Sequence, residues 1–226
     1  MAGICIDTSG RNLTLALWDE KGIMASYSRP ALQRHSELMA PELGGLLTRA
    51  GLSAGDLGVV AVVNGPGSFT GLRVGVSFAK GLAMGNRARL LPLSTLDAMA
   101  CSITLESGTA SPMLDARRKQ VYAALYEMSP EGFRMVSGPA AIEPGVWLGN
   151  LPQGTAVFGS GLGAYRALAE SLGGRITLLD GPPEPTAEGL VRLARMRFES
   201  GAFADIDELD ACYVRKADFE TGGGRQ

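Results

Sequence analysis

The sequence predicts an α/β fold of two related lobes, each with a mixed β-sheet flanked by helices. Three observations predict it. Strand-like runs come first, helical and strand-like segments then alternate, and the second half repeats this order loosely. The chain has 226 residues, 46% of them hydrophobic, which is enough to bury a large core. A small, polar stretch at residues 107–111 marks the expected boundary between lobes over residues 1–107 and 108–226.

The first lobe opens with three strand-like runs and then changes to helical spacing. Residues 3–7 are an apolar run that ends in Asp7, residues 13–17 alternate leucine with small residues, and residues 23–27 follow a turn. Ser36 is predicted to cap a helix over 36–50, which the glycine after it ends.

A continuous apolar run over residues 59–63, rich in valine, is typical of a strand buried on both faces. It leads into a sharp turn at 64–67 and a helix over 69–85. A strand over 90–93 and a helix over 95–106 are predicted next. The first lobe is therefore expected to have the order β-β-β-α-β-α-β-α.

The second lobe is predicted from weaker signals of the same kinds. A proline-rich spacer at 181–185 precedes a last helix over 186–198, whose apolar residues form one stripe. The other predicted elements are strands over 113–115, 121–126, 133–136 and 155–158, and a helix over 164–172.

Charge, cysteine content and the N-terminal sequence limit the expected cellular compartment and the classes of binding partner. The formal net charge of −2 excludes the strongly basic surface that drives nonspecific binding to nucleic acid. Cys5, Cys101 and Cys212 lie far apart among apolar neighbours, which is typical of buried, reduced thiols. The sequence does not open with a basic leader followed by a long apolar run. We therefore expect a cytoplasmic protein with no membrane span.

The segment Asn64–Gly75 is a glycine-rich turn between a buried strand and a helix. Its free backbone N–H groups would suit a phosphate or another anion. It lacks the lysine of a P-loop and the glycine spacing of a dinucleotide site. In the alternative interpretation its first glycines shape the turn, Ser68 caps the helix, and Gly71 and Gly75 let another helix approach closely. The spacing alone leaves both interpretations open.

The helix over 69–85 is apolar on nearly every face and carries a stripe of small residues at four-residue spacing. The stripe consists of Gly71, Gly75, Ala79 and Ala83. One face of the helix can pack on the chain's own sheet, so the remaining apolar face predicts a protein partner. The alternative is that the helix over 36–50 covers that face completely.

Polar candidates for chemistry are few. His35 is the only histidine, so the chain has no pair of histidines to bind a metal. Asp7, Thr8 and Ser9 end the first strand at a tight turn, where they would bind phosphate or Mg²⁺, or only satisfy the turn. The Asp-Ala-Arg-Arg segment at 115–118 is equally open between an anion site and a solvated hairpin.

Several motifs occur in fixed order along nearly the whole chain. They are Ile6-Asp7-Thr8-Ser9, His35-Ser36-Glu37, Gly65-Pro66-Gly67-Ser68-Phe69-Thr70-Gly71-Leu72-Arg73-Val74-Gly75, Ser94-Thr95-Leu96, and Asp115-Ala116-Arg117-Arg118 through Val121-Tyr122. In order and spacing they resemble the TsaB (YeaZ) family, and the long central motif is highly specific. A weaker match at Tyr213-Val214-Arg215 departs from the family pattern, because Ala211-Cys212 stands where a proline usually precedes it.

The resemblance implies an actin-like, Hsp70-like ATPase (ASKHA) fold and a role in making N6-threonylcarbamoyladenosine at position 37 of tRNA (t6A37). It implies a noncatalytic subunit that binds the catalytic paralogue TsaD and helps recruit the ATPase TsaE. TsaD carries a metal-binding pair of histidines, which this chain cannot supply. We expect tRNA to be contacted only indirectly, and the isolated chain to form a homodimer.

The resemblance also implies where the contacts lie, since the family's dimer contact is a bundle of the first two helices of the N-terminal lobe. No catalytic residue and no metal ligand is expected. The expected interface residues are Leu38, Glu42, Gly45, Gly71, Leu72, Gly75, Val76, Ala79, Leu82 and Ala83. A vestigial nucleotide or anion site, for ATP with Mg²⁺, is expected at Asp7, Thr8, Ser9, Gly65, Gly67 and Ser68.

The alternative belongs to a different class, an ATP-dependent kinase of a sugar or an acid with the same fold. It would use Asp7 and the turn at 65–68, and it needs a phosphate turn and an adenosine pocket in the second lobe. Residues 159–163, with the sequence Gly-Ser-Gly-Leu-Gly, are the candidate for either. Tight binding of Mg-ATP by the isolated chain would distinguish this kinase from the scaffold.

Overall fold

The computed structural model describes residues 1–214, which form two five-stranded mixed sheets with helices packed on them. The first sheet contains β1 (Ala2–Asp7), β2 (Asn12–Asp19), β3 (Gly22–Pro30), β4 (Leu57–Gly65) and β5 (Arg89–Ser94). Their order in the sheet is β3-β2-β1-β4-β5. The pairs β1–β2 and β2–β3 are antiparallel, and the pairs β1–β4 and β4–β5 are parallel.

Three helices follow strands of the first sheet, namely α1 (His35–Ala50), α2 (Phe69–Asn86) and α3 (Thr95–Ala100). Alternate residues of β1 point to opposite faces, so Ile4 and Ile6 join one core with α1 and α2, whereas Cys5 joins another. The inner strands β1 and β4 are therefore buried on both faces, as the run at 59–63 predicts, whereas the edge strand β3 is largely exposed.

The second sheet contains β6 (Gly108–Asp115), β7 (Val121–Ser129), β8 (Gly132–Ile142), β9 (Ala156–Phe158) and β10 (Thr177–Leu178). The strand order is β10-β9-β6-β7-β8. The helices in this part of the chain are α4 (Pro144–Asn150), α5 (Ser160–Ala164), α6 (Arg166–Glu170) and α7 (Ala187–Glu199).

The two sheets have the same topology. In the first sheet, β1 pairs antiparallel with β2 and parallel with β4. In the second sheet, β6 takes the place of β1, since it pairs antiparallel with β7 and parallel with β9. The outer strands β8 and β10 repeat the antiparallel and parallel pairings of β3 and β5. The prediction of two related lobes with mixed sheets is confirmed.

The helix α7 returns to the first sheet, although it follows the second sheet in the chain. Its residues Leu190 and Ala194 pack in one core with Cys5 of β1 and Val63 of β4. It contacts β1, β2, β3 and β5. The face of the first sheet that α1 and α2 leave open is thus covered by the C-terminal part of the chain, and the boundary at residue 107 stays a prediction.

Several predicted boundaries were wrong. Ser36 does not cap α1, which begins one residue earlier at His35 with Arg34 at the cap position. The helix predicted over 95–106 ends at Ala100, and the stretch 107–111 already belongs mostly to β6. The helix predicted over 164–172 is the shorter α6, Arg166–Glu170, because the chain turns at Tyr165 and α5 ends before that turn.

Four elements were not predicted from the sequence, namely α4, α5, β10 and a short 3-10 turn at Ala54–Asp56. Of the three thiols expected to be buried, Cys5 and Cys101 are, whereas Cys212 is exposed. The tail motif reaches outside the described residues at Arg215, so only Tyr213 and Val214 of it are described.

Candidate functional site

The turn between β1 and β2 brings together Asp7, Thr8 and Ser9, and all three are buried. The Ser9 N–H donates to Asp7 Oδ1 at 2.8 Å. Burial raises the pKa of the Asp7 carboxyl to about 6; hydrogen bonds from Ser9 oppose the shift, and the charge of Glu184 adds to it. These side chains are held tightly inside the lobe.

The glycine-rich turn between β4 and α2 packs directly against the β1–β2 turn. The Ser68 N–H donates to the carbonyl of Ser9 at 2.7 Å, and a Cβ on Gly67 would overlap the backbone of Ser9. A Cβ on Gly65 would overlap the carbonyl oxygen of Cys212. These glycines therefore allow close approach of the chain to itself, as in the structural interpretation of the motif.

Ser68 caps α2 as predicted, because its Oγ accepts from the Gly71 N–H at 3.2 Å. The Ser68 and Gly71 N–H groups thus both have acceptors within the chain. A phosphate at this turn would have to replace them.

Within the small-residue stripe of α2, Gly71 and Gly75 face the β1–β2 turn, whereas Ala79 and Ala83 pack in the core. The Thr8 Oγ1 donates to the carbonyl of Gly71 at 2.7 Å. A Cβ on Gly71 would overlap the Thr8 carbonyl oxygen, and one on Gly75 would overlap the Thr8 hydroxyl. The stripe as a physical basis for partner contact is corrected: its two glycines make room for Thr8, which belongs to a strand end and not to another helix.

The expected interface residues divide by burial. The residues buried inside the chain are Gly71, Leu72, Gly75, Val76, Ala79 and Ala83. Leu38, Glu42 and Gly45 on α1, and Leu82 on α2, are half-buried. Only this second group reaches the surface, so it is the part of the prediction that a partner can touch directly.

The outer surfaces of α1 and α2 hold glycines of a different kind. A Cβ on Gly44 of α1, or on Gly81 or Gly85 of α2, would meet no atom within 4 Å. Met84, between the last two, is 65% exposed. The packing of the described residues does not require glycine at these positions, although each costs on the order of 1 kcal/mol relative to alanine within a helix.

The second lobe repeats the close approach at its own glycine turn. A Cβ on Gly159 or Gly161 would collide with the backbone of Met113 in β6. The Ser160 Oγ accepts from the Asp115 N–H at 3.3 Å. The glycines at 159–163 thus allow close packing against β6, as the glycines before α2 allow close packing against neighbouring backbone. The sequence alone did not distinguish such a packing role from a phosphate-binding turn.

The basic segment after β6 is a turn with left-handed backbone. Arg117, Arg118 and Lys119 have φ values of 61°, 51° and 60°. The Arg117 guanidinium pairs with Asp115 at 3.4 Å, and the Arg117 side chain is 82% exposed. The solvated-hairpin interpretation agrees with this exposure.

Two polar contacts escaped the sequence analysis because their members lie far apart in the chain. Buried Asp97 accepts from the Tyr126 hydroxyl at 2.8 Å and from the Arg197 guanidinium at 2.9 Å. Glu184, inside the spacer at 181–185, accepts from backbone N–H groups of the β1–β2 turn. A lone carboxylate among prolines was the one available signal for the second contact.

His35 is buried at the start of α1, and its Nε2 lies 3.3 Å from the carbonyl oxygen of Asn12. Residues 1–214 contain no group of three or more His, Cys, Asp or Glu side chains arranged to hold a metal ion. Over the same range, no helix is both long enough and apolar enough to cross a membrane.

Comparison with known proteins gives a consistent result. A family model described as "TsaD: tRNA N6-adenosine threonylcarbamoyltransferase" matches residues 27–167. The Escherichia coli protein named tRNA threonylcarbamoyladenosine biosynthesis protein TsaB is 28% identical over 94% of each chain. The Bacillus subtilis protein of the same name is 37% identical over 56% of each chain.

Solved structures agree on the fold. YeaZ from Pseudomonas aeruginosa has a TM-score of 0.79 at 23% identity, with 94% of this chain and 99% of that one covered. A Pseudomonas aeruginosa protein described as similar to peptidase YeaZ reaches 0.82 at 24% identity, covering 95% and 99%. The family model shows that the chain belongs to the family it describes, and the curated relatives named TsaB agree with the TsaB (YeaZ) resemblance that the motifs carry.

Proposed function

We propose that this chain is a noncatalytic subunit of the machinery that makes threonylcarbamoyladenosine in tRNA, and that it binds a TsaD-type protein through α1 and α2. The observation that carries the proposal is the outer surface of these two helices. It combines half-buried apolar side chains with helical glycines that nothing in the described chain requires.

The half-buried residues form one stripe on each helix. On α1 the stripe is Leu38, Glu42 and Gly45, and on α2 it is Val74, Phe78 and Leu82. The two helices contact each other, and the apolar members of both stripes pack at the edge of the same core. A partner helix laid along them would extend this core, with apolar area removed from water contributing roughly 25 cal/mol per Å².

The glycines favour a helical partner. Gly44 and Gly81 leave the helix backbone bare, so another helix can approach more closely there than at any larger residue. The expected contact thus lies on the outer surface of α1 and α2, one helix face away from the buried stripe of Gly71 and Gly75.

The noncatalytic part of the proposal is supported by the amino-acid sequence. The resemblance gives the catalytic paralogue a pair of metal-binding histidines, and this chain has one histidine, His35. That histidine is buried against the carbonyl of Asn12. A metal ion could reach the His35 imidazole only if the first turn of α1 unfolded locally, because the side chain is buried.

The partner contact is tested by coexpression with the TsaD protein of the same organism. Gly81→Arg places a large charged side chain on the proposed surface without touching the chain's own core. We expect it to weaken copurification by about tenfold or more. Gly163→Arg is the matched control, because Gly163 is also an exposed helical glycine with no atom within 4 Å of its Cβ.

Equal copurification of wild type, Gly81→Arg and Gly163→Arg would refute the proposed surface. The same pair of variants tests self-association, which we expect through the same helices. Sedimentation of the isolated chain should then show a dimer that Gly81→Arg, and not Gly163→Arg, dissociates.

Copurification tests the recruitment of TsaE, and calorimetry tests the alternative kinase function. We expect TsaE to be retained only when both this chain and TsaD are present, and tRNA to be retained only through those partners. Calorimetry with Mg-ATP should show no tight binding by the isolated chain. Tight binding, with turnover of a sugar or acid substrate, would favour the kinase.

A further inference from the structure

A short strap, residues 181–185, crosses between the two lobes on its way from β10 to α7. Its Glu184 carboxylate accepts the Arg11 N–H at 2.6 Å through Oε1 and the Asn12 N–H at 3.0 Å through Oε2. Gly10 lies directly beneath, since a Cβ on Gly10 would overlap the same carboxylate. The β1–β2 turn therefore holds an anion with two oxygens, and the chain itself supplies it.

The strap also contacts the second lobe, at the turn between β9 and α5, which corresponds in topology to the glycine-rich turn before α2. The Pro183 carbonyl accepts from the Ser160 N–H at the start of α5, at 3.0 Å. A Cβ on Gly181 would lie 3.1 Å from the Phe158 side chain of β9. Two neighbouring strap residues thus accept backbone N–H groups from different lobes: Glu184 from the β1–β2 turn, and Pro183 from the start of α5.

The chemistry of the first contact is specific for an oxyanion. Adjacent backbone N–H groups that converge on one point bind carboxylate and phosphate oxygens with charge-assisted hydrogen bonds. Such a contact is not needed for a hairpin turn, because the β2–β3 turn satisfies its N–H groups locally through Asp19, which accepts from Lys21 at 2.7 Å and Gly22 at 3.2 Å. The β1–β2 turn instead takes its acceptor from a residue more than a hundred positions away.

We propose that the β1–β2 turn is an oxyanion-binding site that this chain occupies with its own Glu184, so that the strap excludes free phosphate groups from the turn. While Glu184 is in place, the strap fastens the second lobe to the first. When the carboxylate is removed, the two N–H groups and the space above Gly10 accept a phosphate or a small carboxylate instead. The inference is independent of the partner contact on α1 and α2.

Three variants test it. Glu184→Ala vacates the turn, whereas Glu184→Gln removes the charge and keeps the volume. Asp19→Ala is the matched control, because it also removes a carboxylate from two backbone donors, but in an exposed turn with no strap. The probes are inorganic phosphate and acetate, each compared with chloride at equal ionic strength.

We expect Glu184→Ala to melt at a lower temperature than wild type in chloride and to regain a large part of that loss in phosphate or acetate. The amide resonances of Arg11 and Asn12 should shift on titration with phosphate, with affinity about tenfold or more above that of wild type. In wild type, Glu184→Gln and Asp19→Ala, phosphate and acetate should not raise the melting temperature more than chloride does. At the phosphate concentrations that shift the amide resonances of Glu184→Ala, those of these three proteins should not shift. If Glu184→Ala is unfolded in chloride, refolding in phosphate is the same test.

The absence of anion rescue and of amide shifts in Glu184→Ala would overturn the proposal. Equal rescue of Asp19→Ala would also overturn it, because the effect would then be a general stabilisation by the salt. Equal rescue of Glu184→Gln would show that the side chain does not fill the site.

Discussion

The Thr8 hydroxyl lies directly over Gly75 of α2, so that a Cβ on Gly75 would overlap Thr8 Oγ1. The same hydroxyl donates to the carbonyl of Gly71, one turn earlier in the helix. The strand end and the helix are therefore in contact through a gap that admits only glycine. This contact explains why a helix in the middle of the first lobe tolerates two glycines.

We expect Gly75→Ala to lower the free energy of unfolding by about 2 kcal/mol or more, because the helix or Thr8 must shift to admit the methyl group. Gly81→Ala is the matched control on the same helix. It should raise the free energy of unfolding by up to about 1 kcal/mol, because Gly81 meets no atom and alanine favours the helix. Urea unfolding followed by circular dichroism measures both.

Replacing Thr8 as well distinguishes overlap from helix propensity. The double variant Thr8→Ala with Gly75→Ala should lose less stability than the two single variants together, by about 1 kcal/mol or more. Additive losses would mean that the Thr8 hydroxyl does not restrict Gly75.

Asp97 ties three elements together, since Tyr126 of β7 and Arg197 of α7 both donate to it. The Asp97 side chain is 5% exposed, whereas that of Arg197 is 43% exposed. We expect Asp97→Ala to cost about 3 kcal/mol of unfolding free energy, because it leaves the buried tyrosine hydroxyl without its acceptor. Arg197→Ala should cost less, since solvent screens the pair and Asp97 keeps the tyrosine hydroxyl.

The reverse order of these two losses would contradict this account. Thermal and urea unfolding of the two variants, with Tyr126→Phe alongside, provides the measurement. Tyr126→Phe should cost about 2 kcal/mol, which is typical of one hydrogen bond to a charged group.

The Asp7 carboxyl makes stability depend on pH in an unusual direction. Its pKa is raised in the folded chain from 3.8 to about 6, so between these values the folded chain retains a proton that the unfolded chain has released. The contribution of Asp7 to stability is present below about pH 4 and is lost as the pH rises through about 6. The loss is at most about 3 kcal/mol.

Comparison of wild type with Asp7→Asn across pH 4 to 7 isolates this effect, because the asparagine does not titrate. The stability of wild type relative to the variant should fall as the pH rises. A constant difference would contradict the raised pKa. Because the charge of Glu184 contributes to the shift, the Asp7 pKa measured by NMR should be lower in Glu184→Gln than in wild type.

The three cysteines should differ in reactivity. Burial raises the pKa of the Cys5 thiol, and it raises that of Cys101 to about 12, whereas Cys212 is exposed. We therefore expect one fast-reacting thiol in the native chain, with the others reacting at the rate of opening. Ellman's reagent measures this, and Cys212→Ser should abolish the fast phase; a fast phase that survives would place reactivity at a buried cysteine.

The sequence by itself determined the class of fold, because hydrophobic periodicity is a local property that survives without knowledge of contacts. The valine-rich run at 59–63, the cap at Ser68 and the stripe of α7 all rest on neighbours within a few residues. The boundaries of α3 and α6 did not follow, because tertiary packing decides where a marginal helix ends.

Only the tertiary structure decided what the glycines and the polar residues do. Spacing showed that Gly71 and Gly75 shared a face, but it did not show that Thr8 fills that face and leaves Gly81 open. Likewise, the contact between Glu184 and Arg11 joins positions 173 residues apart in the chain. These contacts join residues far apart in the chain, and their distances depend on how the lobes pack, which no local pattern encodes.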